Sequence, residues 1–211
     1  ASVNPLEMAR AYATIANGGR RVDGTVLGDR PRVVQRVEFI QSGKVQENLP
    51  LPKRVLDSGQ AAVLTDILQD VVRSGTGKRA ALSGRDIAGK TGTTDNYADA
   101  WFVGYTPELV VAVWVGYPDR LRPMLTEFDG EPVAGGTLPA QIWREFMARA
   151  TTADDSGSFD YPPYLGSTPS WVVKRSGRWS LENGYCRGAR VLVYFSGEGP
   201  ERTADCKPNE V

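Results

Sequence analysis

The stretch that decides the fold lies at residues 89–96, which read Gly-Lys-Thr-Gly-Thr-Thr-Asp-Asn. A strand with this pattern at the border of a cleft would bind a peptide as an added strand, because Gly92 has no Cβ to keep another backbone away. Lys90 would supply positive charge, Thr91 and Thr93 would donate hydroxyl hydrogen bonds to a carboxylate, and the Thr93 N–H would face a developing oxyanion. A polar glycine turn between a helix and a sheet is the simpler alternative.

The same region also fits the phosphate-binding loop pattern, because residues 84–91 match G-x-x-x-x-G-K-T. That motif requires a buried strand before it and a helix after it. Residues 77–83 are too polar for a buried strand, and residues 92–96 are a poor start for a helix. A nucleotide-binding protein is therefore the remote alternative.

Composition excludes several kinds of chemistry. The 211 residues include 25 Lys and Arg, 25 Asp and Glu, and no His. The balanced charge predicts no nucleic-acid partner, and the lack of His excludes His-based triads and His-metal sites. Two cysteines alone do not complete a four-ligand zinc site. Asp95, Asp99 and Asp119 lie near predicted strand ends, where solvated carboxylates are common, so we expect neither a metal nor another cofactor.

Three segments have the apolar spacing of amphipathic helices, at residues 4–17, 57–73 and 137–149. Asn4 and Glu7 have the spacing of a capping box at the start of the first. The predicted apolar stripe of the second consists of six residues: Val63, Leu64, Ile67, Leu68, Val71 and Val72. In the third, Thr137 is the predicted cap, and the apolar residues at 138, 142 and 146 define the predicted buried face.

Strands are predicted at residues 32–40, 44–49, 101–105 and 109–117. Gln-Ser-Gly joins the first two as a surface hairpin, and Thr-Pro-Glu joins the last two as an antiparallel pair. The last run is apolar on successive residues, which predicts a central strand covered on both faces. Helices packed on an antiparallel sheet make the main part an α+β fold.

Composition also divides the chain into three parts. Residues 1–150 form the main part, residues 151–170 are a polar linker rich in Pro, Gly and Ser, and residues 171–211 form a small β-rich extension. The best strand of the extension is predicted at residues 190–195.

The two cysteines, Cys186 and Cys206, both lie in the extension. A disulfide between them would close a loop of about 20 residues and stabilise the extension by about 3 kcal/mol. Disulfides persist outside the cytoplasm; two free thiols are the alternative. Four aromatic residues of the extension would either stack on a glycan or fill its small core: Trp171, Trp179, Tyr185 and Tyr194.

Several segments extend the pattern around Lys90 in sequence order. Residues 99–107 read Asp-Ala-Trp-Phe-Val-Gly-Tyr-Thr-Pro and residues 113–117 read Val-Trp-Val-Gly-Tyr. Together with residues 89–96 and with segments at 4–19, 71–77 and 135–143, they resemble the transpeptidase domain of class A penicillin-binding proteins. The match covers roughly residues 2–150, so the resemblance implies the C-terminal part of a penicillin-binding or β-lactamase-like fold. The extension lies outside it.

The resemblance implies a peptidoglycan D,D-transpeptidase. In that family, a serine attacks the D-Ala-D-Ala carbonyl of a stem peptide, D-Ala leaves, and the acyl group passes to an amine on a neighbouring strand. β-Lactams acylate the same serine. The segment after the Lys-Thr-Gly strand borders the cleft, which makes Asn96 and Tyr97 possible substrate contacts.

Two of the three family motifs, the nucleophile Ser-x-x-Lys and the Ser-x-Asn, are not identified in this sequence. No serine has a lysine three residues later. Residues 2–4 fit Ser-x-Asn by letters, but they stand directly at a helix start, where Asn4 is the predicted cap. We therefore expect the nucleophile in a missing N-terminal part of the domain, in the same protein or in a separate chain. These residues alone would be inactive and would leave an apolar face of the sheet exposed.

The expected partners are that missing part of the domain, stem peptides and β-lactams. The expected location is extracytoplasmic, at the cell surface or in the periplasm, with the parent protein held in the membrane by an upstream segment. A non-catalytic wall-binding or sensor module of the same fold is the alternative function.

Overall fold

The computed structural model describes residues 3–23, 34, 36–47, 51–151, 157–159, 170–175, 178–186, 190–193 and 203–207. The chain forms two compact units, Ala1–Asp160 and Tyr161–Val211. Within the described residues the longest helix has 16 residues, and no helix combines the length and apolarity that crossing a bilayer takes.

Over its described residues, the first unit contains three α-helices and a three-stranded antiparallel sheet. Its elements follow in this order: α1 (Pro5–Ala16), β1 (Arg20–Asp23), β2 (Arg36–Phe39), β3 (Lys44–Glu47), β4 (Leu51–Arg54), α2 (Ser58–Arg73), a short 3-10 helix (Lys78–Ala80), β5 (Ala88–Thr93), β6 (Asp99–Tyr105), β7 (Val110–Gly116) and α3 (Leu138–Ala150). The main sheet has the order β5-β6-β7, whereas β1 pairs with β4 and β2 pairs with β3. The α+β prediction is confirmed.

Helix α1 begins with the capping box that its sequence predicts. The Asn4 side chain accepts from the Glu7 N–H, and the Glu7 carboxylate accepts from the Asn4 N–H, each at 3.0 Å. Pro5 occupies the first turn, where its missing N–H costs nothing. The helix packs against both β6 and β7.

The position of β7 corrects one prediction. Its residues are half-buried throughout, but β6 is the central strand of the described sheet and β7 lies at its edge. The apolar side chains on successive residues have another cause, since α1 and α3 both contact β7. A run of successive apolar residues therefore indicates that helices cover the strand. It does not show that the strand lies in the middle of the sheet.

Trp143 of α3 anchors the helix on the sheet. Its side chain is fully buried, it meets Phe102 edge-on with ring centroids 5.5 Å apart, and its indole N–H lies 3.2 Å from the carbonyl oxygens of both Gly104 and Val111. A Cβ on Gly104 would stand 2.9 Å from the indole, so only glycine leaves room for this ring.

Trp143 also determines which face of α3 is buried. Of the residues predicted for that face, Leu138 packs against the core, but the other two do not. Met147 shares the buried face, whereas Ile142 and Phe146 are 40% and 49% exposed. Thr137 stands at the N-cap but makes no capping hydrogen bond. Its hydroxyl donates to the Ala134 carbonyl and accepts from the Ala134 N–H, because the preceding turn folds back on it.

Helix α2 confirms its predicted stripe only in part, since Val72 is buried in the core. Leu64 and Ile67 are 37% and 46% exposed, while the polar residues Thr65 and Gln69 are buried. The Thr65 hydroxyl lies 2.9 Å from the Tyr105 hydroxyl, which satisfies both groups. The apolar face expected to be exposed on the sheet is not seen, since none of the exposed large apolar side chains among the described residues belongs to β5, β6 or β7.

Part of the predicted linker belongs to the first unit. The Phe159 ring packs edge-on against Tyr105, with centroids 5.5 Å apart. Residues 152–156 and 160–169, which make up most of that linker, lie outside the described residues.

The second unit is a small antiparallel sheet with a disulfide. Its strands are β8 (Ser170–Arg175), β9 (Arg178–Leu181) and β10 (Arg190–Val193), in the order β10-β8-β9. Cys186 and Cys206 are bonded, with their Cα atoms 5.1 Å apart, and Cys206 packs in a small core with Val173 and Ala204.

The structure describes two of the four aromatic side chains considered for glycan stacking. The side chains of Trp171 and Tyr185 are 45% and 55% exposed. The side chain of Trp179 and the whole of Tyr194 lie outside the described part of the chain.

Candidate active site

Strand β5 carries the Lys-Thr-Gly sequence along the edge of the described sheet. Lys90 pairs with Val103 of β6, and Gly92 pairs with Trp101. Lys90 thus stands inside a strand, and a second strand follows it where a phosphate-binding loop requires a helix. The phosphate-loop alternative is therefore wrong.

A groove runs along β5 and is bordered by α1. Its volume is about 210 Å³. It is lined by three residues of β5, two of β6 and three from α1 and the residues before it: Lys90, Thr91, Gly92, Trp101, Val103, Val3, Met8 and Tyr12. Most of these side chains are apolar, so the polar groups of β5 stand at one wall of a largely apolar groove. Such a combination is typical of ligand sites.

Lys90 is exposed at this wall. Its ammonium nitrogen lies 2.8 Å from the carbonyl oxygen of the next residue, Thr91. An ammonium has three N–H donors, so this contact uses one and leaves two for other groups. Burial raises the pKa of Tyr12 in the same groove, so that phenol stays neutral at physiological pH.

The Thr91 hydroxyl has a partner outside the strand. Its Oγ1 lies 2.7 Å from the Oγ1 of Thr76, which belongs to the loop after α2. Thr91 is half-buried, and it lines the groove. Thr91 thus connects the loop after α2 to the strand that borders the groove.

The Thr93 hydroxyl contacts the segment that leads into α3. Its Oγ1 accepts a hydrogen bond from the backbone N–H of Gly135 at 2.9 Å. Thr93 itself is exposed at the end of β5, one position beyond the three residues that line the groove. The structure thus brings Lys90, Thr91 and Gly92 together and places Thr93 beside them.

Two glycines allow the segment before α3 to lie this close to β5. A Cβ on Gly135 would overlap the Trp101 carbonyl oxygen and stand 2.6 Å from the Gly92 carbonyl oxygen, and a Cβ on Gly136 would overlap the Thr76 carbonyl oxygen. Backbone atoms do not give way as side chains do, so both positions require glycine.

Asn96 and Tyr97 lie in the turn that joins β5 to β6. The Asn96 side chain accepts from the Ala98 N–H at 3.3 Å, which is an Asx-type turn contact. Tyr97 has a φ of 57°, and its carbonyl oxygen accepts from the Met124 N–H at 3.0 Å. Neither residue lines the described groove, so their contact with substrate stays a prediction.

Two of the three acidic residues considered for a metal contact other side chains. Asp99 accepts from the Trp114 indole N–H at 2.9 Å, and Asp119 lies 3.9 Å from the Arg120 guanidinium. Among the described residues, no group of three or more His, Cys, Asp or Glu side chains is arranged to hold a metal ion.

Sequence reasoning missed Thr76 and Gly135 as parts of this site. A signal was present, because Ser-Gly-Thr-Gly at residues 74–77 and Gly-Gly-Thr at residues 135–137 both lie in segments that match the family. Glycines at such positions indicate a close backbone approach.

The family assignment follows from a match over most of the first unit. The model of the family described as "Penicillin binding protein transpeptidase domain" matches residues 1–137. The chain belongs to this family, and the class A resemblance is confirmed by its relatives.

The curated relatives include several proteins named penicillin-binding protein 1A. The one from Neisseria gonorrhoeae is 33% identical over 211 residues, which cover 98% of this chain and 24% of the relative. The one from Neisseria cinerea is 40% identical over 198 residues, which cover 92% of this chain and 22% of the relative. The chain thus spans about a quarter of the length of these relatives.

Solved structures show the same fold. Penicillin-binding protein 1A from Haemophilus influenzae matches with a TM-score of 0.64 and 26% identity, over 96% of this chain and 33% of that one. The penicillin-binding protein PonA1 from Mycobacterium tuberculosis matches with a TM-score of 0.60 and 33% identity, over 75% of this chain and 41% of that one.

Proposed function

We propose that this chain is part of a peptidoglycan D,D-transpeptidase and supplies one wall of its active site. The observation that carries the proposal is the exposed edge of β5, where Lys90, Thr91 and Gly92 line one groove. Membership in the transpeptidase family supports it. The nucleophilic serine and its base belong to a part of the protein upstream of these residues.

The proposed reaction is acyl transfer in two steps. The serine oxygen attacks the carbonyl carbon of the penultimate D-Ala and loses its proton to a nearby base. The C–N bond breaks, the terminal D-Ala leaves as an amine after taking up a proton, and an acyl-serine ester forms. An amine of a neighbouring stem peptide then attacks the ester, which forms the cross-link and regenerates the serine.

In this reaction the residues of β5 bind and polarise the substrate. The free carboxylate of the terminal D-Ala accepts hydrogen bonds from the hydroxyls of Thr91 and Thr93, and Lys90 supplies positive charge. The Thr93 N–H donates to the oxyanion of the tetrahedral intermediate. The peptide adds as a strand along β5, which Gly92 permits because it has no side chain at the contact.

The cellular setting follows from the substrate. Peptidoglycan lies outside the cytoplasm, so we propose an extracytoplasmic protein that an upstream segment anchors in the membrane. The disulfide of the second unit agrees with an oxidising compartment. Its partners are the N-terminal part of the domain, stem peptides and β-lactams, and these 211 residues alone are inactive.

Covalent labelling by a fluorescent penicillin tests the proposal. The polypeptide that carries this chain together with its upstream segment is expected to form one stoichiometric adduct. Lys90→Ala is expected to slow its formation by at least 100-fold. Lys53→Ala, which removes an exposed lysine from β4, is the matched control and should label at the original rate.

The labelling result distinguishes a transpeptidase from a non-catalytic wall-binding module of the same fold. A protein that folds but forms no adduct at any penicillin concentration would be a non-catalytic wall-binding module. Equal labelling rates for Lys90→Ala and Lys53→Ala would show that Lys90 takes no part in the reaction with penicillin.

A further inference from the structure

We propose that Thr76 and Gly135 are positioning residues that orient the hydroxyl groups of Thr91 and Thr93 as donors toward the substrate carboxylate. The inference rests on the function proposed above and explains how β5 recognises that group. A carboxylate only accepts hydrogen bonds, whereas a hydroxyl both donates and accepts. Recognition is therefore strongest when each threonine proton is free to point at the substrate.

The direction of the hydrogen bond at Thr93 is fixed by its partner. A backbone N–H only donates, so the oxygen of Thr93 must accept from Gly135 across the 2.9 Å contact. The proton of Thr93 is then left to point in another direction. Gly135 thereby makes this hydroxyl a donor for a ligand at the end of β5.

The same logic extends to Thr91. When a carboxylate accepts the proton of Thr91, the oxygen of Thr91 is left to accept from Thr76 across their 2.7 Å contact. The two hydrogen bonds then run in one direction, from Thr76 to Thr91 to the carboxylate, and each strengthens the other by polarisation.

The loop after α2 carries Thr76 and the segment before α3 carries Gly135, and we call these two segments the supports of β5. Thr91 and Thr93 are two positions apart on a strand, so their side chains leave it on the same side. A Cβ built on Gly136 would overlap the Thr76 carbonyl oxygen and would stand 3.7 Å from the Thr91 methyl carbon. The loop after α2 and the segment before α3 therefore touch each other where they meet β5.

Local hydrogen bonds hold both supports in place. On the Thr76 side, the Gly75 N–H donates to the Asp70 carbonyl at 3.0 Å and the Gly77 N–H donates to the Val71 carbonyl at 2.9 Å. On the Gly135 side, the hydroxyl of Thr137 closes the turn by its two hydrogen bonds to Ala134. The orientation is thus built before any ligand arrives, which lowers the cost of binding.

The test compares two β-lactam probes on the complete transpeptidase, with its upstream segment present. Benzylpenicillin carries the carboxylate, and its methyl ester does not. Thr76→Val keeps the shape of the side chain but removes the hydroxyl. We expect it to lower the second-order acylation rate constant for benzylpenicillin about tenfold and the constant for the ester less than twofold.

Two further variants separate orientation from folding. Thr76→Ser retains the hydroxyl and should restore the benzylpenicillin rate constant to within threefold of the original. Ser74→Ala removes a hydroxyl of the same loop that donates to the Asp70 carbonyl instead of contacting β5, and both rate constants should stay unchanged.

The inference fails if Thr76→Val slows the acid and the ester equally, since that result would describe a general structural role. It also fails if Thr76→Val acylates as fast as the original protein. If the original protein forms no adduct with either probe, the proposed function itself is wrong, so the two failures are distinguishable.

Discussion

The two halves of strand β5 differ sharply. Ala88 and Gly89 at its start are buried, whereas Lys90 and Thr93 toward its end are exposed. The first half is tightly packed, since a Cβ on Gly89 would stand 2.7 Å from the ring of Phe102. The second half is polar and is held by single hydrogen bonds from other segments. Apolar packing that stabilises the fold and polar groups that bind a ligand are thus separated along one strand.

The largest loss of stability is expected from Trp143→Ala, which removes the ring packed against Phe102, the residue that covers Gly89. The side chain is fully buried, and its indole N–H bonds two carbonyl oxygens. We expect the free energy of unfolding to fall by about 3–5 kcal/mol, measured by urea denaturation. Phe146→Ala on the same helix is the matched control and should cost less than about 1 kcal/mol. Equal losses would contradict the observed face of α3.

A smaller loss of stability is expected from Thr137→Val, which weakens the turn that holds Gly135 beside the polar half of β5. The change removes the two hydrogen bonds that close the turn before α3. It should lower the free energy of unfolding by about 1–2 kcal/mol, seen as a lower Tm, and should slow benzylpenicillin acylation. Thr126→Val, at an exposed position, is the control. A variant with unchanged Tm would show that the turn does not depend on this hydroxyl.

Tyr105→Phe should have a still smaller effect at neutral pH. It removes the contact with the Thr65 hydroxyl, which keeps its hydrogen bond to Ala61, at a cost of about 1 kcal/mol. Burial raises the pKa of Tyr105 from 10.0 to about 12. The phenol therefore ionises first in the unfolded state, and the stability that it contributes is lost as pH rises from 10 to 12.

The measurement is Tm against pH for both proteins. The original protein should lose Tm more steeply than Tyr105→Phe above pH 10. Parallel curves over that range would show that the phenol has the same pKa in the folded and unfolded states.

The smallest effect on stability is expected from Lys90→Ala. Lys90 is exposed, and its ammonium donates to the neighbouring Thr91 carbonyl. The free energy of unfolding should change by less than about 0.5 kcal/mol, although acylation should fall by at least 100-fold. A large loss of stability would mean that this half of β5 also supports the fold.

The sequence predicted those features that depend on neighbouring residues. Asn4 and Glu7 are three positions apart, so the capping box of α1 is visible in the sequence. The hairpin of β6 and β7 follows from its two apolar runs and the Thr-Pro-Glu turn between them. The Lys-Thr-Gly strand was predicted for the same reason, because its charged group, its hydroxyl groups and its glycine all lie within residues 90–93.

Features that depend on distant residues were missed. The buried faces of α2 and α3 are determined by the Thr65–Tyr105 contact and by the place that Gly104 leaves for Trp143. Helical periodicity alone does not identify such partners. Thr76 lies 15 positions from Thr91, and Gly135 lies 42 positions from Thr93, so only the folded chain brings these supports to the strand.

The most direct test of the central claim is a crystal structure of the complete protein after reaction with benzylpenicillin. The account predicts a covalent adduct on a serine upstream of these residues, with its carboxylate at hydrogen-bond distance from the hydroxyls of Thr91 and Thr93. Lys90 should face the same site. An adduct whose carboxylate lies away from β5 would contradict the claim that this strand recognises the substrate's free acid.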